Sequence, residues 1–65
     1  MENKRTIAGI RKDLNLNQNE MAKKLDISIT TLQRYETGKS PVPYTIALKI
    51  ADMGGIKDLR SIRFN

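Results

Sequence analysis

Thr30, Gln33, Arg34 and Thr37 are spaced so that one side of a helix would carry all four. No acidic residue falls on that side, although the chain holds seven Asp and Glu. These side chains suit hydrogen bonding to base edges in a nucleic-acid groove. Arg pairs with guanine and Gln with adenine, while Thr offers a hydroxyl or, to thymine, a methyl. The same residues could also form an ordinary solvated helix face, so the elements that position them decide between the two.

Composition narrows the chemistry. The 65 residues suit a single domain, expected over 1–65, close to the lower size limit for unaided folding. There is no Cys and no His, so disulfides, thiolate metal sites and the commonest general base are excluded. With no Gly-rich phosphate loop and no paired carboxylates either, no enzyme is expected, and no cofactor, metal or small-molecule ligand. A net charge of +5 and a pI near 9.9 favour an anionic partner, most simply nucleic acid. No apolar run is long enough to cross a membrane and the polar N-terminus lacks a signal-peptide core, so a cytoplasmic setting is expected.

The elements follow from the apolar spacing. Between Lys4 and Leu14, apolar residues at Ile7, Ile10 and Leu14 form a helical stripe. Asn17 offers an N-cap with Glu20 at the reciprocal capping-box position, predicting a helix over 18–25 that turns Met21, Ala22 and Leu25 to one side. Asp26 and Ile27 make a short break before Ser28, which can cap again. KSPVPY (39–44) reads as a loop, because prolines two apart cannot continue a helix. A helix over 44–53 would turn Ile46, Ala47, Ile50 and Met53 to one side and stop at Gly54-Gly55. Ile56, Leu59 and Ile62 suggest a short last helix; LRSIRFN could instead be an edge or inter-subunit strand.

The segment ISITTLQRYETG (27–38) is ambiguous by composition, since its start is rich in β-branched residues. As a strand over 27–33 it would place Ile27, Ile29 and Thr31 on a face that excludes Leu32, with Tyr35 beyond its end. As a helix capped by Ser28 it gathers Leu32, Tyr35 and Glu36 on one side. The helical propensity deficit of Ile29, Thr30 and Thr31 is roughly 1–2 kcal/mol. Burying Leu32 and Tyr35 contributes roughly 1.5–3 kcal/mol each, and the cap about 1 more. Packing outweighs propensity, and the segment is expected to be a helix. Arg11 shares a face with Ile7 and Leu14 and so points inward, as Glu36 does beside Leu32. An inward charge without a partner is expensive, which predicts a structural Arg11–Glu36 ion pair.

Gln18, Ala22, Ile27, Leu32 and Tyr35, with Met21 and Leu25 beside them, give the spacing of a helix-turn-helix. Across IRKDLNLNQNEMAKKLDISITTLQRYETGKS the sequence resembles the Cro/repressor-type helix-turn-helix domains of temperate phages and bacterial regulators, the XRE family. The resemblance spans about residues 4–60 and is strengthened by YETGK and the inward Arg11.

It implies an all-α bundle of five short helices (a lambda-repressor-like domain) whose third helix enters the major groove, commonly as a two-fold dimer on operator DNA. The implied base-reading positions are Ser28, Ile29, Thr30, Gln33 and Arg34. Those implied against phosphates are Asn17, Gln18, Thr37, Lys39 and Ser40. Asp26 departs from the family, which most often has Gly at that turn, and Ile29 stands where polar readers are frequent. The function implied is a transcriptional regulator of the Cro-type phage or prophage repressor kind. The alternative is a protein-binding module, an antitoxin or anti-repressor, on the same fold. A dimer surface is expected in the C-terminal third, where Leu48, Ile62 and Phe64 are the candidates.

Overall fold

Three of the four α-helices begin where a side-chain oxygen accepts from a free backbone N–H. The computed structural model describes residues 5–64. Strand β1 (Arg5–Thr6) leads into α1 (Ile7–Asp13), followed by α2 (Gln18–Leu25), α3 (Ile29–Thr37) and α4 (Tyr44–Met53). A 3-10 turn (Leu59–Ser61) and strand β2 (Ile62–Arg63) close the chain. Thr6 caps α1 through the N–H of Gly9 at 3.0 Å, and Ser28 caps α3 through that of Thr31 at 3.1 Å. At α2 the capping box is complete: Asn17 Oδ1 accepts from Glu20 N at 2.8 Å, and Glu20 Oε1 from Asn17 N at 2.9 Å. Helix α4 starts on Pro43, whose φ of −60° suits a helix entry without a side-chain cap.

All four helices end the same way. A left-handed residue follows the last turn at Asn15 (φ 60°), Asp26 (59°), Gly38 (77°) and Gly55 (67°). The next residue's N–H then reaches back to close the turn: Leu16 to Arg11 O, Ile27 to Ala22 O, Lys39 to Arg34 O and Ile56 to Ala51 O, at 2.8–3.1 Å. Leu16, Ile27 and Ile56 pack onto the core from these positions. Lys39 does not: it stays exposed.

The core is built from the expected faces. Ile7, Ile10, Met21, Leu25, Leu32 and Ile50 are almost wholly buried, joined by Tyr35, Ile46 and Ala47. Ala22, also buried, lets α2 and α3 approach closely. Gly54 does the same where the end of α4 meets α1; a Cβ there would lie 3.0 Å from Ile10 Cγ2.

Several details differ from the sequence reading. The first helix begins at Ile7, because Thr6 takes the cap and Arg5–Thr6 pair with β2; Lys4 lies outside the described residues. Leu14 sits just past the end of α1 and is 37% exposed, so it leaves the inward stripe. In place of a fifth α-helix there is only the 3-10 turn, capped by Asp58, whose side chain accepts from Arg60 N. Hydrogen bonding from the Arg60 side chain holds the Asp58 carboxyl below its ordinary range. The tail does form a strand, but within its own chain, with Arg5 opposite Ile62 and Thr6 opposite Arg63 in parallel register. Ile62 is consequently a core residue, 4% exposed, and Phe64 packs against the core.

Candidate nucleic-acid interface

The outward side of α3 opens into a concavity lined by Gln18, Thr30, Gln33, Arg34, Thr37 and Lys39. Four come from one helix face, Gln18 from the start of α2 and Lys39 from the residue after the left-handed Gly38. No carboxylate lines it. Among the described residues neither Arg34 nor Lys39 has an ion-pair partner, so two cations face an open, acid-free groove. Two carboxylates elsewhere are engaged in ion pairs: Asp13 with Arg5 across α1, and Asp58 with Arg60.

Beneath the concavity runs a chain of hydrogen bonds. Arg11 Nε donates to Glu36 Oε2 at 2.8 Å, with both side chains largely buried at 13% and 7% exposure. Arg11 Nη1 also donates to Leu16 O at 3.1 Å, tying the end of α1 to the pair. The other Glu36 oxygen, Oε1, accepts from Gln18 Nε2 at 3.0 Å. Gln18 Oε1 in turn accepts from Gln33 Nε2 at 3.2 Å. The inward ion pair expected from the sequence is present, and it reaches the surface through two amides.

A family model for helix-turn-helix domains matches residues 7–60. The chain belongs to the Cro/XRE-type helix-turn-helix family. It is a DNA-binding transcription regulator of that type. Curated proteins and solved structures give no significant match. Helix α2, the break at Asp26–Ser28 and α3 form the helix-turn-helix proper, and no described helix is long and apolar enough to cross a membrane.

In this helix-turn-helix the residues singled out by sequence fall into groups. Thr30, Gln33 and Arg34 are exposed and line the concavity on α3. Ile29 is 39% exposed and outside the concavity, an apolar contact at most. Ser28 Oγ accepts from Thr31 N and is hydrogen-bonded to Thr31 Oγ1 at 2.8 Å, so capping engages it first. Thr37 Oγ1 donates to Gln33 O at 2.9 Å, so giving its hydrogen to a phosphate would mean releasing that bond. Asn17 is engaged in the capping box at both its side chain and its N–H. It faces a neighbouring concavity with Arg11, Lys12 and Asn15. Ser40 is half-buried outside the concavity.

The sequence reading missed two features. One is the Gln18–Gln33 hydrogen bond, for which residue type carries no signal because a Gln amide can both donate and accept. The other is Lys39 as the odd residue among four matching helix ends. That signal was available: Leu16, Ile27 and Ile56 are apolar at the equivalent position and Lys39 is not.

Proposed function

We propose that this protein is a Cro-type repressor that binds two-fold operator DNA as a dimer, with α3 in the major groove. The observation that carries the reading is the acid-free concavity with Arg34 and Lys39 unpaired among the described residues. In this reading Thr30, Gln33 and Arg34 meet base edges, Ile29 packs on a thymine methyl, and Ser28 flanks them. Gln18 approaches a phosphate with its second amide N–H and the free N–H groups at the start of α2, which Asn17 holds in place. Lys39 and Ser40 border the next phosphate, with Thr37 at the rim. These phosphate contacts set orientation and register, and the α3 side chains carry the choice of sequence. The setting is the cytoplasm, on the DNA itself, and no catalytic step is proposed.

One domain of this size touches few base pairs, so specificity calls for two copies on half-sites about one DNA turn apart. The copies are proposed to meet on α4, where Tyr44 is 69% and Leu48 44% exposed, four residues apart on one face. Asp52 continues that face and is also exposed. An antiparallel pairing of two α4 helices about Leu48 would set each Tyr44 hydroxyl opposite the other copy's Asp52 carboxylate. Ile62, buried in the core, is removed from the surface expected earlier.

Selection from a random duplex pool tests the reading. A two-fold-symmetric sequence, bound much more tightly than scrambled DNA, is expected. Absence of any enriched sequence, with only weak salt-sensitive binding, would overturn it in favour of a protein partner on the same face.

A further inference from the structure

We propose that Glu36, acting through Gln18, fixes the amide polarity of Gln33 and so commits it to reading adenine. This rests on the operator-binding reading above. Amide nitrogen and oxygen are alike in shape, and a free surface Gln can present either to a partner. Here the order is forced from below. Glu36 is held in the protein by the Arg11 guanidinium, and an ionised carboxylate only accepts. Gln18 must therefore turn its NH2 toward Glu36 Oε1, which leaves its carbonyl facing Gln33. A carbonyl also only accepts, so Gln33 must present its own NH2 to Gln18. Reversing Gln33 would set two carbonyl oxygens against each other with no hydrogen between them.

What Gln33 then shows to the groove is its Oε1 and its second Nε2 hydrogen, one acceptor and one donor in a fixed order. In the major groove adenine presents the N6 amino donor beside the N7 acceptor, which matches both groups. Guanine presents O6 and N7, two acceptors; its O6 would meet Gln33 Oε1 without a hydrogen between them. Cytosine and thymine each satisfy half of the pair at best. Gln18 and Glu36 are thus positioning residues: they touch no base, yet they decide which base Gln33 accepts. Gln18 keeps a second N–H for a phosphate, so one amide can serve both purposes.

The experiment uses the full chain and the duplex enriched by selection. Gln33→Ala first identifies the base pair whose preference depends on Gln33. At that pair the wild-type protein is expected to favour adenine over guanine on the order of tenfold to a hundredfold. Substituting 7-deazaadenine, which lacks N7, should remove much of that preference. Gln18→Ala is expected to lower the adenine-to-guanine ratio severalfold at that pair only, leaving preferences set by Thr30 and Arg34 unchanged. A lost phosphate contact weakens all sequences alike and cancels in the ratio. Arg11→Met combined with Glu36→Met removes the anchoring charge without stranding its partner, and should lower the same ratio in a folded protein. An unchanged ratio in Gln18→Ala, or no base pair dependent on Gln33, would overturn this inference alone. Failure to enrich any duplex would overturn the operator reading and this inference with it.

Discussion

A carboxylate 7% exposed in a chain of 65 residues is tolerable only because both its oxygens are engaged, one by Arg11 and one by Gln18. Removing one partner is far worse than removing both charges. Glu36→Ala would leave the Arg11 guanidinium largely buried and unpaired and should cost about 3–5 kcal/mol in urea denaturation. Arg11→Met together with Glu36→Met should cost little, since similar-volume apolar replacements of a buried pair are often neutral. A double variant as unstable as the single one would show that the pair itself, and not the avoidance of a bare charge, supports the fold. The pair was legible in the sequence because two opposite charges both point inward from amphipathic faces. The partner of the second Glu36 oxygen was not, because Gln18 fits a phosphate as readily as a carboxylate and nothing in its spacing chooses.

Helix boundaries follow from short-range chemistry, and most could be read directly. Asn17 with Glu20, Ser28, Gly38 and the glycine pair at 54–55 mark starts and stops that the structure keeps. The β-branched run at Ile29–Thr31 did not become a strand, since Leu32 and Tyr35, both buried, share one face only in a helix. The first turn was less legible, because Thr6 both caps α1 and joins a two-residue ladder. Such a ladder is too short to leave an alternating pattern. The tail stayed open between a short last helix and a strand for the same reason: Ile56, Leu59 and Ile62 keep helical spacing but reach the core from a loop, a 3-10 turn and a strand.

The left-handed helix ends give a direct test at this scale. Gly38→Ala should lose about 1–2 kcal/mol, the penalty of a Cβ in that conformation. Asp26→Gly should raise stability by up to about 1 kcal/mol, because Asp26 holds the same conformation with a Cβ. Equal stability of wild type and both variants in thermal or urea melts would contradict this account of the turns.

For the whole molecule, charge distribution and exposed apolar surface both bear on assembly. A basic balance favours an anionic partner, and the concavity around α3 is where Arg34 and Lys39, without ion-pair partners among the described residues, face a lining that holds no carboxylate. The face of α4 carrying Tyr44 and Leu48 is small against the roughly 1,200–2,000 Å² that stable interfaces bury. The protein is therefore expected to sediment as a monomer alone and as a dimer on a two-site duplex. Leu48→Lys should abolish cooperative filling of the second half-site while leaving single half-site affinity close to wild type. A stable dimer without DNA, or undiminished cooperativity in Leu48→Lys, would contradict the α4 contact. The general DNA-binding role was legible from the helix-turn-helix spacing of Gln18, Ala22, Ile27, Leu32 and Tyr35, within the residues that the family model matches. The burial of Ile62 was not, since a buried Ile62 and an exposed Leu48 look alike until the two short strands are paired.

The most direct test of the central claim is anisotropy titration of Gln33→Ala, Arg34→Ala and Lys39→Ala against the selected duplex and a scrambled one at two salt concentrations. Gln33→Ala and Arg34→Ala should each lose about 1–3 kcal/mol on the selected duplex, with little change on the scrambled one. Lys39→Ala should weaken both duplexes alike and reduce the salt slope by about one. Equal losses on both duplexes for all three variants would contradict a face that divides base reading from phosphate binding.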